Sequence, residues 1–221
     1  MITVVHTGPL DVNTCIVELG GSSVFIVDPA NSSFSGDENK LVQYLNGRKL
    51  DVVAIVLTHG HFDHVAGISV LKKAFPSAKI LIHSKDAKYI GKDSKIAQGE
   101  LLSCGGFSEF LPYVLSLAEA DDFMEDGKNL SDYVKCSGLE DWVIYNTPGH
   151  TKGSVCLYNE KQKILISGDT VFYHSCGRTD FPDGSDEEMK ESLAFLKEKI
   201  PGETLVYPGH GYAGFEYSKN F

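Results

Sequence analysis

Val52-Val-Ala-Ile-Val-Leu-Thr-His-Gly-His-Phe-Asp-His64 decides the reading of this chain. Its first six residues are an unbroken apolar run, as expected of a strand buried on both faces. Four side chains that can bind a metal follow at once: His59, His61, Asp63 and His64. Polar groups placed directly after a core strand are costly to desolvate unless something compensates them. Neutral imidazole and carboxylate are good ligands for zinc, iron or manganese. A lone His-x-His is a weak signal, but Asp63 and His64 in the fifth and sixth places of the same hexapeptide make it far more specific.

Three later stretches supply similar groups: Thr147-Pro-Gly-His150, Ser167-Gly-Asp-Thr170 and Tyr207-Pro-Gly-His-Gly211. His150 and His210 each follow Pro-Gly, a tight-turn dipeptide that can hold a side chain over a sheet edge. Asp169 follows the apolar strand Ile164–Ser167. Five of the eight histidines fall in these stretches. The ordinary alternative is a set of satisfied polar residues in core or surface. Together the seven side chains can hold two adjacent divalent ions, which activate water.

Working outward, Cys15–Leu19 and Ser23–Val27 read as strands around a Gly20-Gly21 hairpin turn. Ser35 and Glu38 are spaced as a capping box, Leu41, Val42 and Leu45 form an apolar stripe, and Gly47 stops that helix. Val65 to Phe75 reads as a helix ended by Pro76, and Lys79–His83 as the next strand. Strand, loop, helix, strand is the signature of an α/β layer, with functional residues at the C-terminal end of a buried strand. Residues 84–141 read as an insertion with polar helical stretches, a Gly105-Gly106 break and the apolar run Phe110–Leu117. They form either a lid or wall over the site or plain cover for a sheet face. Strand signals return at Trp142–Asn146, Ser154–Tyr158 and Lys163–Ile166. A second capping box, Ser185 and Glu188, starts a helix with Met189, Leu193, Leu196 and Ile200 at helical spacing. Lys197 and Lys199 suit its negative end and Pro201-Gly202 stops it, before a last strand, Leu205–Tyr207. No low-complexity linker divides residues 1–221, so one domain is expected, with two facing sheets and the site along their shared edge.

The formal charge is −10, with no block of Lys or Arg, which argues against nucleic acid or an anionic membrane as partner. No apolar run approaches the roughly 18–20 residues that span a bilayer. The N-terminus shows no basic segment or cleavage site, so a cytoplasmic location is the default. Five widely spaced cysteines, with no Cys-x-x-Cys pair, read as reduced thiols.

The order His-x-His-x-Asp-His, Gly-His, Gly-Asp, Gly-His resembles the metallo-β-lactamase superfamily. The likeness runs from the Cys15–Asp28 hairpin to Gly211, with 84–141 lacking a clear match. It implies an α/β (α+β) fold, a four-layer αββα sandwich with metals at one edge of the sheets. It further implies that His59, His61 and His150 hold one ion, that Asp63, His64 and His210 hold a second, and that Asp169 bridges them. The ions implied are two Zn2+, with Fe or Mn as alternatives, sharing a hydroxide nucleophile that Asp63 helps to orient.

Within that superfamily, Gly168-Asp-Thr-Val-Phe172 followed by Ser175-Cys-Gly-Arg-Thr-Asp-Phe-Pro182 is similar to short glyoxalase II-like proteins, the hydroxyacylglutathione hydrolase group. This implies a thioesterase acting on a small-molecule thioester. Arg178 becomes a candidate for a substrate carboxylate, against an ordinary ion pair with Asp180; His174 and Tyr212 are further candidate contacts. Glyoxalase II carries a C-terminal helical domain that completes its glutathione site. The sequence shows no such segment after His210, so a shorter thioester or another acyl substrate is expected. The main rival is a mono-iron persulfide dioxygenase, which shares the Cys176–Phe181 run but typically has an Ala-His-Asp type last motif. Pro208-Gly-His-Gly211 resembles the hydrolase version. A nuclease lacks support from the acidic charge, and a catalytically retired binding protein would usually have lost ligands. Oligomeric state is not legible.

Overall fold

Alternation along each strand sets the layers. In a computed structural model of the protein, which describes residues 1–92, 94–114 and 117–219, successive side chains of Ser23–Val27 point to opposite faces. Val24 and Ile26 join one apolar core while Phe25 and Val27 join another. A strand with two apolar faces must be covered on both, and this one lies between a helical layer and a second sheet.

The first sheet begins as an antiparallel meander of β1 (Ile2–Thr7), β2 (Val12–Gly20) and β3 (Ser23–Val27). Gly20 and Gly21 turn the chain with φ of +119° and +59°, values that disfavour a side chain. The chain then crosses through α1 (Lys40–Gly47) to β4 (Asp51–Val56), and through α2 (Phe62–Val65) and α3 (Ile68–Ala74) to β5 (Lys79–His83). After α4 (Ser94–Gly105) it reaches β6 (Asp122–Met124). Strands β3 to β6 are parallel, and the sheet order is β1-β2-β3-β4-β5-β6.

The second sheet contains β7 (Val143–Asn146), β8 (Val155–Asn159) and β9 (Ile164–Gly168). A short hairpin follows, β10 (Val171–Phe172) and β11 (Ser175–Cys176), then α5 (Asp186–Lys199). Strand β12 (Leu205–Pro208) runs parallel to β9, and β13 (Phe215–Glu216) closes the order β13-β12-β9-β8-β7. Phe25, Val56 and Leu81 of the first sheet meet Trp142, Leu157 and Ile166 of the second. Phe25 and Trp142 pack edge to face at 5.2 Å. Leu41, Leu45 and Leu71 cover the outer face of the first sheet, and Leu196 and Ile200 that of the second. The layers are therefore αββα.

The structure corrects several local readings. Ser35 caps no helix; its hydroxyl bonds to Ser32 and Asp37, and α1 starts after Asn39 with no side-chain cap. Gly47, the expected stop, is the last residue of α1, although the left-handed residue beyond it is Lys49. The helix expected over Val65–Phe75 is two helices with a break at Ala66-Gly67. Gly67 donates to the Pro29 carbonyl at 2.8 Å, and a Cβ there would collide with the Asn31 side chain. Ser185 does cap α5, accepting from the Glu188 N–H at 3.2 Å. In the expected run Phe110–Leu117, Ser108–Tyr113 forms a 3-10 turn; Leu115 and Ser116 lie outside the described residues. Among the described residues, no helix is long and apolar enough to cross a membrane. All five cysteines are free thiols.

The two sheets are joined along one edge by backbone bonds. Val155 N–H donates to the Thr58 carbonyl at 2.8 Å, and Asn13 N–H to the Gly209 carbonyl at 2.7 Å. The Asn13 side-chain amide adds bonds to the Pro208 and Gly211 carbonyls, each 3.0 Å. The histidine motifs emerge at this edge.

Candidate metal centre

Each element that ends at this edge delivers part of one cluster. β4 ends just before His59; His61 precedes the first residue of α2; Asp63 and His64 lie within α2. His150 follows β7, Asp169 follows β9 and His210 follows β12. Ligand-type atoms of His59, His61 and His150 lie within 4.8 Å of one another, as do those of Asp63, His64 and His210. The Asp169 carboxylate reaches toward both groups. It is 3.5 Å from His150 Nε2, 3.5 Å from His64 Nε2 and 3.7 Å from His210 Nε2.

The packing of these atoms makes sense around cations. His59 Nε2, His61 Nε2, His150 Nε2 and Asp169 Oδ1 are buried with no hydrogen-bond partner, a costly state for four neighbouring polar atoms. His64 Nε2 and His210 Nε2 face each other at 3.1 Å. The opposite ring nitrogens are engaged elsewhere: His150 Nδ1 at 2.7 Å from the Arg178 carbonyl, His210 Nδ1 at 3.0 Å from the Leu10 carbonyl, and His64 Nδ1 at 2.9 Å from Asp28 Oδ2. Donation through Nδ1 fixes the tautomer and leaves the Nε2 lone pair free, the usual arrangement of ligating histidines. The donor set fits two divalent cations.

Protein charges alone set a strong proton balance. Burial, followed by the facing imidazoles, holds His59 and His61 well below the ordinary histidine value. Burial also acts on His64, but the carboxylates of Asp169, Asp63 and Asp28 overcome it and push that residue up to about 10. Burial raises Asp63, yet His64 and His210 outweigh it and hold that carboxyl well below the usual carboxylate range.

Three residues that support the cluster went unrecognised in the sequence. Asp28 read only as the last residue of the Cys15–Asp28 hairpin. It adopts φ +50°, rare for a residue with a Cβ, and its Oδ2 accepts from His64 and, at 2.6 Å, from the Thr58 hydroxyl. Thr58 Oγ1 in turn lies 3.0 Å from His59 Nδ1. The left-handed φ of Asp28 leaves no trace in one sequence. Asp86 is fully buried and accepts from Gly60 N–H at 2.8 Å, Gly153 N–H at 2.8 Å and the Thr151 hydroxyl at 2.7 Å. It ties the loop carrying His59 and His61 to the loop carrying His150, and nothing in Ser84-Lys-Asp86 signals this.

A cavity of about 350 Å³ opens over the cluster, with His61, Asp63, His150, Asp169 and His210 on its floor. Arg178 reaches its wall, but the guanidinium is paired with Asp180 through bonds of 2.6 and 2.7 Å and stacks 4.3 Å over Phe181. Tyr212 lies outside this cavity, in a shallower groove that shares His210 and Phe172 with it. His174 sits exposed with φ +58° between β10 and β11, against the Tyr173 ring at 4.0 Å, and lines neither space.

A family model described as the metallo-beta-lactamase superfamily matches residues 7–210, and the chain belongs to that superfamily. A hydroxyacylglutathione hydrolase from Bdellovibrio bacteriovorus is 33% identical over 177 residues, 80% of this chain and 56% of that protein. Among solved structures, the BLEG-1 B3 metallo-beta-lactamase superposes with a TM-score of 0.81 at 27% identity, covering 99% of this chain and 95% of its own. A di-iron-bound protein, TTHA1623, gives 0.76 at 28% identity, covering 98% and 96%. Fold, His/Asp clusters and relatives together define a metal-dependent hydrolase of this superfamily.

Proposed function

We propose that this protein is a dinuclear thioester hydrolase of the hydroxyacylglutathione hydrolase type, with zinc as its metal. The observation that carries the reading is the Asp169 carboxylate, within 3.5–3.7 Å of ring nitrogens from both histidine groups. On this reading His59, His61 and His150 would hold one ion and Asp63, His64 and His210 the other, with Asp169 placed to serve both groups. Two bound divalent ions supply a water acidified to a pKa near 7 and a Lewis acid for the substrate carbonyl.

The chain's own residues do the rest. Asp63 stays ionised and lines the cavity floor, where it would accept a hydrogen bond from the attacking water and fix its direction. Asp169 holds the two halves in register. Asp28 and the Thr58 hydroxyl keep His64 and His59 in the tautomer that offers Nε2. The apolar cavity wall limits bulk water around the reacting carbonyl. The reading takes residues 1–221 as one domain, with about 84–141 as its family-variable part.

Support for a thioester comes from the Gly168–Phe172 and Ser175–Pro182 runs and from the similarity to the Bdellovibrio hydrolase. One parallel experiment tests it, on protein of known metal content: hydrolysis of S-lactoylglutathione and simple thioesters beside oxygen uptake with glutathione persulfide. Thioester turnover with close to two ions per chain is expected. One iron per chain with persulfide-dependent oxygen uptake would overturn the reading. Similarity to a di-iron-bound protein makes iron the second metal to load.

A further inference from the structure

Above its floor, the cavity over the cluster is almost wholly apolar. Leu101 and Leu102 come from α4, Phe107 and Phe110 from the turn after it, Phe172 from β10 and Phe181 from the loop before α5. Among the described residues, the lining holds one polar side chain beyond the five of the floor. That residue is Arg178, whose fork is already closed by Asp180.

This wall is a packed unit. Phe62, Leu102, Phe110 and Val114 form a buried cluster with Phe107 and Leu111 against it. The Phe107 and Phe110 rings stack at 5.8 Å and 4°. Phe181 closes over Gly105 at the end of α4, where a Cβ would come within 2.8 Å of its ring.

We propose that the cavity selects acyl groups that are uncharged and apolar, so that the substrate is a thioester of a short aliphatic or arylalkyl acid. This inference rests on the thioesterase reading above. A charged or hydroxylated acyl group would lose its water partners against this wall and gain none in return, which is costly. An aliphatic one leaves water for carbon surface at about 25 cal/mol per Å². At about 350 Å³, the cavity sits at the small end of ordinary ligand pockets, ~300–1,000 Å³, which suits a short acyl group better than a tripeptide.

The neighbouring groove assigns the orientation. It shares Phe172 and His210 with the cavity, is more open, and carries Tyr173, Ser175 and Tyr212. Tyr173 and Tyr212 are 42% and 64% exposed, so a larger, solvated thiol carrier fits there while the acyl group occupies the cavity. Hydrolysis then breaks the carbonyl–sulfur bond, water adds its oxygen to the carbonyl carbon, and the thiol leaves with a proton.

The test is a series of N-acetylcysteamine thioesters, acetyl to octanoyl, with phenylacetyl, lactoyl and succinyl members, all on the metal-loaded protein. The thiol is constant, so kcat/KM reports the acyl site. It is expected to rise about fourfold per methylene until the cavity is filled, with succinyl at least tenfold below butyryl. Phe107→Ala, at a half-buried position, should flatten the slope and lower the hexanoyl-to-acetyl ratio at least tenfold. The matching amides, acetamide to hexanamide, give a readout independent of turnover, since their Kd by chemical-shift titration should follow the same slope. Turnover with a flat slope, or with a preference for succinyl or lactoyl, overturns the acyl assignment and leaves the thioesterase reading standing. No turnover of any thioester, with amide affinity still rising with length, overturns that reading and supports the apolar site. No turnover of any thioester together with no slope in the amide series overturns both.

Discussion

Replacing Asp86 tests whether the loop carrying His59 and His61 and the loop carrying His150 are held by one buried carboxylate. Asp86→Ala leaves Gly60 N–H, Gly153 N–H and the Thr151 hydroxyl without this acceptor in a fully buried place. Each abandoned donor costs about 1–3 kcal/mol. Burial pushes the Asp86 carboxyl up and the three donors only partly offset this, so removing the charge returns some of that cost. A net loss of about 3 kcal/mol is expected, against total stabilities of about 5–15 kcal/mol. Asp86→Asn keeps one oxygen for one N–H but turns an amide N–H2 on another donor, and should lose about half as much. The assay is the urea midpoint at constant m-value, read beside metal content. Because Gly60 lies between His59 and His61, and Thr151 follows His150, the ion held by those three should weaken at least tenfold. The ion held by Asp63, His64 and His210 should weaken less. A loss below about 1 kcal/mol for Asp86→Ala, or equal weakening of both ions, would refute the argument.

For Asp169→Asn, at least one ion per chain should be lost with little change in urea midpoint; retention of both, by elemental analysis, would sink its bridging role. Gly209→Ala places a Cβ against Asp169 Oδ1 and 2.6 Å from His64 Cε1, and should cost metal occupancy although alanine suits most backbones. In chelator-treated protein, thermal stability should peak near pH 6.5–7. His59 and His61 are depressed, so the unfolded chain binds more protons below about 6.5 and stability falls with acid; His64, at about 10, contributes fully below about 6.5 and loses its contribution as pH rises through about 10. Metal loading at pH 7.5 should therefore release at least one proton, measured by calorimetry in buffers of different ionisation heat, and equal heats in all buffers would contradict the His64 assignment.

Much of the fold was legible because its signals are local. The Val52–Leu57 run and Lys79–His83 fall on β4 and β5 within one residue. Of the stripe Met189, Leu193, Leu196 and Ile200, the last three lie where α5 packs on the second sheet. The misreadings have two physical causes: a competing local hydrogen bond at Ser35 and a long-range contact at Gly67. Ser35 turns to Ser32 and Asp37 instead of capping a helix, and Gly67 meets Pro29 and Asn31. Strands β6, β10, β11 and β13 are two or three residues long, too short to show a period.

The cluster was legible for a different reason. Side chains such as His59 and Asp63 are unusual straight after a core strand, so chemistry marks them where periodicity cannot. The residues that position them carry no such mark, because Asp28, Thr58 and Asp86 act through buried hydrogen bonds to partners distant in sequence. The cavity wall is hidden still more deeply, since the leucines of α4 and the phenylalanines of the turn after it look the same whether they face a core or a cavity. Yet each histidine group draws on both sheets, with His59, His61, Asp63 and His64 from the end of β4 and its following helix, and His150 and His210 from the second sheet. An ion held by either group would therefore cross-link the same edge that Asn13, Val155 and Asp86 hold by hydrogen bonds. Metal binding there would be coupled to closure of the sandwich, since a ligand at about 1,000 times its Kd adds roughly 4 kcal/mol to stability.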